Sequence, residues 1–463
     1  MKRSPAQRMR AAILTIGFLA FASAVHAAEP ITVTVSKIKG LNLRIYGFVA
    51  TDFITDTTQG FTEEPDNNLV PTRRTSGGAT NYAGQHGRSQ MSVRDSRLGF
   101  ELNLPKTDSG LQSQGIIELD LLGNNAPNTV PGSTSGTQSE RDFFNNPAPR
   151  VRHAYMNLTF NEWNAKIGQT WSLFGWQPYY FPGENAVLST PGMIFRRFAQ
   201  ARVTHTLDFM DSWTLESAAD LAKPAEMNSR SPEYHAGLRV ASTKIKGASI
   251  YCAGTSMVGL SAALSAAVIP LQTNLGNPTG GAVAFDVLVP IIPSSDGKDR
   301  SNNLVWAGEL MSGSGVGGLE YAGLTSGVPA VPASLAGTAL DSGMAGINNG
   351  GSVSLIRYRA FRTHLQYSLP GGKWSASTGY AQVETRNLAD FGFYATQSLG
   401  KLGLSSPAFL ASKIQYGYAS LFYDPYSWLR FGGEFSQTRD TYVDAANRFA
   451  ANNRVQLSAF FIF

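Results

Sequence analysis

Apolar and polar residues alternate along much of this sequence. In the segment 97–104, RLGFELNL, leucine and phenylalanine alternate with arginine, glutamate and asparagine. The segments 117–121, IELDL, and 454–463, RVQLSAFFIF, repeat the pattern. Side chains two residues apart lie on the same face of a β-strand, so each segment predicts a strand with one apolar and one polar face.

Fourteen such strands can be identified, and the connections between them alternate in length. The strands begin near residues 41, 88, 111, 148, 163, 200, 212, 233, 248, 353, 373, 412, 428 and 454. The short connections are 105–110, 161–162, 209–211, 242–247, 370–372 and 425–427. The long connections are 57–87, 125–147, 171–199, 257–352 and 387–411. Short turns on one rim and long loops on the other are typical of an all-β fold, the transmembrane antiparallel β-barrel.

A soluble β-sandwich is the alternative, because its strands also alternate. Two features favour the barrel. The polar positions hold charges of both signs, which a water-filled lumen accommodates better than the interface with a second sheet. Aromatic residues also lie at strand ends beside turns, as in the interfacial girdle of a membrane barrel. These residues are Trp163, Phe209, Trp213, Trp374, Tyr426 and Trp428.

Barrel closure explains the two ends of the predicted barrel. A closed barrel has no edge, so its last strand pairs with its first. We expect 454–463 to pair with the segment 41–56, LNLRIYGFVATDFITD. The sequence can then end at Phe463 within a strand, because that strand is paired on both sides.

The first 27 residues have the pattern of a secretory signal peptide. Four basic residues precede a short apolar run over 11–24, and Val25-His26-Ala27 places small residues at a cleavage site. A retained membrane anchor is the alternative, but the run is short for a bilayer. Cleavage removes four positive charges and lowers the formal charge from +5 to +1, so no nucleic-acid partner is implied. A short periplasmic segment over 28–40 and a single barrel over 41–463 are expected to follow.

The stretch 248–285 contains no charged residue and is interrupted by glycine and proline. We interpret it as an uncharged loop with one short helix at 257–268, and a membrane-spanning helix is the alternative. The single cysteine, Cys252, cannot form an internal disulfide, and an apolar packing role is expected for it.

Three parts of the sequence resemble Gram-negative outer-membrane porins, most closely the DcaP-like porins within the general porin superfamily. They are RLGFELNLP, AKIGQTWSLFGWQPYYFP, and the C-terminal LRFGGEF with RVQLSAFFIF. The resemblance covers 41–210 and 353–463, and it implies an outer-membrane trimer of barrels with sixteen strands each. Two further strands are then expected within 257–352, with candidates at 281–292 and 303–311. The N-terminal coiled-coil segment of some DcaP-like members is absent from this sequence.

The resemblance also implies that the loop after the fifth strand folds into the barrel and narrows the pore. The matching loop is 171–199. Its composition supports this interpretation, since an external loop would expose Trp171, Phe174, Trp176 and Tyr179 to water. An aromatic slide for sugar rings, and hence a sugar-selective porin, is a second interpretation of these residues. Their irregular spacing favours loop packing.

The polar faces of the predicted strands supply candidate pore residues, and the loop 171–199 adds Arg196 and Arg197, with Glu184 nearby. The selectivity of a water-filled pore depends on its diameter and its lining charges. Basic residues outnumber acidic ones in this set, which predicts passive diffusion of small hydrophilic solutes with a preference for anions such as carboxylates. The alternative is a wall of mutually paired, solvated charges. The candidates are Arg97, Glu101, Glu118, Asp120, Arg150, Arg152, Lys166, Glu184, Arg196, Arg197, Arg202, Arg362, Lys413, Arg430 and Arg454.

Catalysis is the other function class to weigh. Outer-membrane hydrolases bring serine, histidine and a carboxylate together, and none of the six histidines lies in a GxSxG or HExxH motif. The sequence has no metal-ligand spacing and no glycine-rich phosphate loop, so no catalytic residue, metal or cofactor is predicted. The expected partners are outer-membrane lipid, further copies of the chain in a homotrimer, and the transported solute.

Overall fold

The structure is a computed structural model of the chain. It describes residues 31–34, 40–58, 75–76, 79–80, 82–123, 148–181, 183, 185, 191–224, 229, 231–251, 254–272, 276–316, 345–391, 411–442 and 449–463. The predicted signal peptide, Glu184 and Cys252 lie outside the described residues.

The described strands form one closed antiparallel sheet of sixteen strands, which confirms the predicted fold class. Their bounds are Asn42–Asp56 (β1), Arg88–Ser92 with Arg97–Asn103 (β2, interrupted), Gln112–Gly123 (β3), Ala148–Phe160 (β4), Trp163–Trp171 (β5), Arg197–Phe209 (β6), Trp213–Ala222 (β7), Glu233–Tyr251 (β8), Gly254–Pro270 (β9), Thr279–Ile292 (β10), Asn303–Ser314 (β11), Arg357–Ser368 (β12), Trp374–Thr385 (β13), Ala411–Tyr426 (β14), Leu429–Tyr442 (β15) and Phe449–Ile462 (β16).

Smaller elements lie outside this wall. A short strand, Ile31–Thr34, pairs with the start of β1. Two small strand pairs lie in the connections after β1 and β11, and they are Thr75–Ser76 with Ala79–Thr80 and Ala345–Ile347 with Val353–Leu355. One-turn helices are formed by Tyr82–Gln85 and Leu388–Phe391. No helix among the described residues is long and apolar enough to cross a membrane.

The barrel closes where the sequence predicted. β1 pairs with β16 from Phe48 opposite Ile462 to Asp56 opposite Arg454. The backbone groups of Phe463 also exchange hydrogen bonds with those of Gly47, at 3.0 and 2.9 Å. Inside the barrel, the Asp56 carboxylate accepts two hydrogen bonds from the Arg454 guanidinium, each of 2.8 Å. The first and last strands are therefore joined by backbone and side chain alike.

The stretch 257–352 contains strands that the alternation pattern did not reveal. β10 and β11 match the candidates at 281–292 and 303–311, so the expectation of sixteen strands is confirmed. The helix expected at 257–268 is wrong, because β9 spans this stretch. Small residues such as Ala263 and Ser265 occupy the inward positions of β9 and are buried. Small inward residues weaken the contrast between the two faces, on which strand prediction depends.

The two faces of the wall differ in polarity as the alternation implies. On β16, Val455, Leu457 and Phe461 are exposed on the outside, whereas Arg454 and Gln456 are buried inside the barrel. The side-chain period of a strand is two, so a shift of one residue would place arginine on the apolar face. The wall is therefore apolar outside and polar inside along this strand.

The rim with the short turns also carries the exposed aromatic residues. Trp163, Trp374, Tyr426 and Trp428 are exposed there. The rings of Tyr426 and Trp428 stack with their centroids 5.0 Å apart. Aromatic side chains with a polar edge are typical of the level at which a barrel leaves the membrane.

Candidate functional site

Between β5 and β6, the described residues 172–181, 183, 185 and 191–196 pack against the inner wall of the barrel, and we call them the lumen loop. Leu173, Phe174, Tyr180 and Ile194 in this loop are fully buried. The apolar composition noted in the sequence is therefore matched by burial of the side chains.

β9 supplies the first anchor of the lumen loop. The Gly175 amide donates to Ser265 Oγ at 2.9 Å, and Trp176 Nε1 donates to the carbonyl of Leu264 at 3.2 Å. The Tyr180 and Ser261 hydroxyls are 3.2 Å apart. Burial raises the pKa of Tyr180 to about 12, so the phenol stays protonated and able to donate. The small inward residues of β9 thus leave room for the loop and bind its polar groups.

Buried carboxylates on β11 and β15 supply the second anchor. Glu309 accepts hydrogen bonds from Gln177 Nε2 at 3.1 Å and from the Ile194 amide at 3.0 Å. Arg362 on β12 neutralises Glu309, with Nη2 3.3 Å from Oε2. On β15, Glu434 accepts a hydrogen bond from the backbone amide of the loop at residue 185, at 2.9 Å. The lumen loop is therefore attached to widely separated strands of the wall.

An apolar cluster lies inside the barrel near the long-loop rim. Phe174 and Ile194 of the lumen loop pack with Ile269 of β9, Tyr358 of β12 and Ile414 of β14. At the long-loop ends of these strands, the inward positions are therefore apolar, whereas the inward positions of β2–β4 are polar. Burial of apolar surface stabilises the loop in this position.

A second segment enters the lumen from the short-turn rim. β8 pairs with β7 only as far as Ser242, and its register with β9 shifts between Ala241 and Lys246. Beyond this bulge, 246–251 pair with 254–259 as an additional hairpin, which we call the rim hairpin. The predicted short turn at 242–247 and the predicted start of a strand at 248 are wrong, because β8 continues through this stretch to Tyr251.

The rim hairpin binds inward-facing side chains of the wall. The Ala248 amide donates to Asn303 Oδ1 at 2.7 Å, and the Ile250 amide donates to Gln366 Oε1 at 2.8 Å. Ala248 and Ile250 are buried. Both bonds use the free edge of a β-strand, whose amides have no partner strand on that side. The side chains of β11 and β12 thus hold the hairpin inside the barrel.

The inner wall over β2–β4 carries a charged cluster, formed by Arg97, Glu118, Asp120, Arg150 and Arg152. Arg152 Nε lies 2.7 Å from Glu118 Oε1, and its Nη1 lies 3.0 Å from Asp120 Oδ2. Arg150 Nη2 lies 2.7 Å from Asp120 Oδ2, and Arg97 Nε lies 3.6 Å from Glu118 Oε1. Three arginines against two carboxylates give this cluster a formal charge of +1.

Arg196, the last residue of the lumen loop, and Arg197, the first residue of β6, make different contacts. Arg197 stacks over the Trp171 ring at 4.7 Å and interacts electrostatically with the charged cluster. Arg196 stacks over Phe198 at 5.0 Å, and its Nη1 lies 4.0 Å from Glu233 Oε1. With Arg197 included, the charged cluster has four arginines and two carboxylates, a formal charge of +2.

The other candidate pore residues are distributed over the inner wall, mostly in ion pairs. The pairs are Glu101 with Arg44 at 3.0 Å, Arg202 with Asp220 at 3.6 Å, Arg362 with Glu309 at 3.3 Å, Arg430 with Asp424 at 2.6 Å and Arg454 with Asp56 at 2.8 Å. Lys166 Nζ lies 5.2 Å from the centre of the Tyr155 ring. Glu184 is outside the described residues.

Lys413 does not face the lumen, so its prediction as a lumen residue is wrong. It lies opposite Glu384 of β13 on the outer face, while the next residue, Ile414, is buried inside. Tyr416 and Tyr418, which lie in the half of β14 nearer the long-loop rim, also point inward. The usual polarity of the two faces is thus reversed there, because the inward positions pack against the lumen loop instead of facing water.

Polar side chains surround an open cavity of about 310 Å³ at the short-turn end of β2–β4. Its lining includes Asn103, Gln114, Asn157 and Thr159, which supply amides and a hydroxyl. Closer to the long-loop rim, the side chain of Arg150 is 32% exposed. This side of the lumen therefore retains solvent-accessible polar groups beside the packed half.

The aromatic residues of the lumen loop do not form a row of open ring faces. Trp171, Phe174 and Trp176 are 7%, 0% and 4% exposed. The Trp171 ring contacts the rings of Phe181 and Phe195, with centroids 4.8 and 4.7 Å apart. A slide for sugars needs exposed faces, so the burial favours loop packing.

His235 lies between two buried carboxyl groups, those of Asp220 and Glu233. His235 Nδ1 lies 2.8 Å from Asp220 Oδ1, and its Nε2 lies 3.7 Å from Glu233 Oε2. A hydrolase triad instead needs a nucleophile on one ring nitrogen. Within the described ranges, no group of three or more histidine, cysteine, aspartate or glutamate side chains is arranged to hold a metal ion.

Comparisons with known proteins find similar solved structures. No family model matches the sequence, and no curated protein matches it. The chain is similar to the outer membrane channel DcaP of Acinetobacter baumannii, with a TM-score of 0.60 and 17% identity over 94% of this chain and 100% of that chain. It is also similar to the anion-selective porin from Comamonas acidovorans, with a TM-score of 0.49 and 10% identity over 91% and 100% of the two chains. For OmpF of Salmonella typhi in complex with daunomycin, the TM-score is 0.48 and the identity 12%, over 92% and 98%. The first likeness shows that this chain has the fold of an outer-membrane channel.

Proposed function

We propose that the protein is a porin of the Gram-negative outer membrane that lets small hydrophilic solutes diffuse through its lumen. The observation that supports this function is a closed barrel, apolar outside, whose inner wall over β2–β4 keeps accessible charged and amide side chains beside a polar cavity. Water-filled barrels of this kind transport without chemistry, and their lining sets the selectivity.

We further propose that the pore favours anions such as carboxylates. Arg197 and the charged cluster have a formal charge of +2, and the accessible member, Arg150, presents its guanidinium to the lumen. Charges in a narrow, low-dielectric passage act on a solute with little screening. Within this cluster the ion pairs leave two positive charges uncompensated, since four arginines face two carboxylates.

In this proposal, the lumen loop narrows the pore, as the resemblance to porins implies for 171–199. Its anchors on β9, β11 and β15 support a fixed position. The rim hairpin, which the sequence analysis did not foresee, adds a second narrowing from the opposite rim. The path left for solutes then follows the polar wall of β2–β4.

A homotrimer in outer-membrane lipid is the proposed assembly, and it rests on the resemblance to porins. Closed barrels of this class associate through their outer faces. Mass measurement of the protein in a mild detergent, before and after heating, tests the assembly.

Liposome swelling tests the proposed function. Vesicles that contain the purified protein should swell in a neutral sugar and faster in a sugar carboxylate of the same size, whereas protein-free vesicles should not swell. Absence of swelling in both solutes would refute a diffusion pore. Equal rates would refute the anion preference alone.

A further inference from the structure

The outer face of β12–β15 changes character toward the long-loop rim. In the middle of these strands and toward their short-turn ends, the outward residues include exposed apolar side chains, such as Leu365, Leu421 and Phe435. At their long-loop ends, four outward positions are basic, and we call them the outer basic patch. The patch consists of Arg357 and Arg359 on β12, Lys413 on β14 and Arg439 on β15.

Strand pairing brings these residues onto one surface. Arg359 lies opposite Glu384 of β13, and Glu384 lies opposite Lys413 of β14. Glu384 also accepts a hydrogen bond from Arg386 Nη1 at 2.8 Å, which leaves that pair neutral. Arg439 extends along the next strand over the Phe449 ring, at 3.9 Å. The four patch residues therefore give this face a formal charge of +4.

The height of the patch corresponds to the membrane surface. Glu384 is ten residues beyond Trp374, the aromatic residue at the short-turn end of the same strand (384 − 374). A rise of about 3.3 Å per residue and a tilt of about 40° place the two roughly 25 Å apart along the membrane normal. The apolar band of a membrane barrel is also about 25 Å tall. The patch thus lies at the level of lipid headgroups on the long-loop side.

The patch cannot be explained by the pore. Tyr358 and Ile414, which adjoin patch residues in sequence, point inward and pack in the apolar cluster of the lumen. Closer to the membrane centre, Tyr380 accepts a hydrogen bond from Gln415 Nε2 at 2.5 Å and donates one to Gln382 Oε1 at 3.1 Å. An outward tyrosine and amides below a basic band are typical of a membrane–water interface.

We propose that the outer basic patch binds the phosphate groups of a lipid in the membrane leaflet on the long-loop side. Guanidinium groups bind phosphate through paired, charge-assisted hydrogen bonds. Each basic residue near a membrane surface strengthens the attraction for anionic lipid by roughly fivefold. The inference rests on the membrane location in the proposed function, but not on conduction or anion preference.

The test compares two matched triple variants in a non-ionic detergent. The first removes three exposed patch charges, as Arg357→Gln, Arg359→Gln and Arg439→Gln. The second removes three exposed charges at the short-turn rim, as Lys106→Gln, Lys244→Gln and Lys298→Gln. Binding of dioctanoyl phosphatidic acid is measured by thermophoresis, with dioctanoylglycerol as the lipid without phosphate and inorganic phosphate as the phosphate without lipid.

The patch variant should bind phosphatidic acid on the order of 100-fold more weakly than the native protein. The rim variant should bind it as the native protein does. Dioctanoylglycerol and inorganic phosphate should not distinguish the three proteins. Native affinity in the patch variant, an equal loss in the rim variant, or equally tight binding of inorganic phosphate at the patch would overturn the proposal. Single-channel conductance of the patch variant should stay native, which separates this site from the pore.

Discussion

Arg430 on β15 holds Thr255 on β9 across the lumen, with Nη2 donating to the threonine Oγ1 at 2.9 Å. Its Nη1 donates to the carbonyl of Gly254 at 3.1 Å, and Asp424 fixes the guanidinium through hydrogen bonds of 2.6 and 2.8 Å. β9 and β15 are six strands apart in the barrel order (15 − 9), so the rim hairpin reaches nearly to the opposite wall. Arg430, whose side chain binds the tip of the hairpin, lies far from the hairpin in sequence.

The rim hairpin and the lumen loop meet inside the barrel. The rings of Tyr251 and Phe181 lie with their centroids 4.8 Å apart. Tyr251 also packs against the apolar pair formed by Phe48 of β1 and Phe460 of β16. The hairpin thus lies inside the short-turn half of the lumen, where it contacts the lumen loop.

Replacement of Arg430 by glutamine should loosen the rim hairpin. The change removes the two hydrogen bonds that this charged donor makes to the hairpin, each of which contributes about 1.5–3 kcal/mol. Brief steps to higher conductance should become roughly 100-fold more frequent in single-channel recordings. Arg439→Gln on the outer face of the same strand is the matched control and should leave the steps unchanged. Native traces from Arg430→Gln would show that the hairpin does not limit the pore.

Replacement of Gly432 by leucine should push the lumen loop away from β15. A Cβ atom at Gly432 would overlap the side-chain amide of residue 185 in the loop. The neighbouring Gly433 faces outward, where a Cβ would meet only Leu457, at 3.6 Å. The conductance of Gly432→Leu should therefore rise, whereas that of Gly433→Leu should not. Circular dichroism verifies that both variants fold, and equal conductances would argue against a pore-narrowing loop.

Replacement of Arg362 by methionine should destabilise the barrel and its loop anchor. Arg362 is buried and pairs with Glu309, whose buried carboxyl group would then lose its basic partner. Loss of one partner of a buried ion pair costs about 3–5 kcal/mol of unfolding free energy. Urea unfolding in vesicles measures the loss. Adding Glu309→Gln should restore part of it, and an equal loss in single and double variants would exclude the pairing as the cause.

The sequence predicted those parts of the fold in which polarity differs strongly between faces. β2, β15 and β16 alternate large apolar with charged residues, and closure of the barrel followed from their pattern. β9 was misassigned because its inward residues are small, so that the lumen loop can pack against them. Its outward residues Leu264 and Val268 were the signal for a strand.

The candidate site was predictable only where side chains act locally. The inward positions of Arg97, Arg150 and Arg152 follow from alternation, but their pairing with particular carboxylates depends on the strand register. The rim hairpin depends on Asn303 and Gln366, which are distant in sequence and chemically ordinary. The outward position of Lys413 was missed because a packed lumen makes the inner face apolar. Tyr416 and Tyr418, which lie on the opposite face of the strand from Lys413, were the signal for this reversal in the sequence.

The reversal potential in planar bilayers tests the central claim most directly. Current steps in a KCl gradient should reverse at a potential of the sign that marks preference for chloride over potassium. Arg150→Gln with Arg197→Gln removes two charges beside the lumen and should move the reversal potential toward zero. Arg357→Gln with Arg359→Gln, on the outer face, should keep the native value. Absence of current steps, or a reversal potential of cation-selective sign in the native protein, would contradict the account.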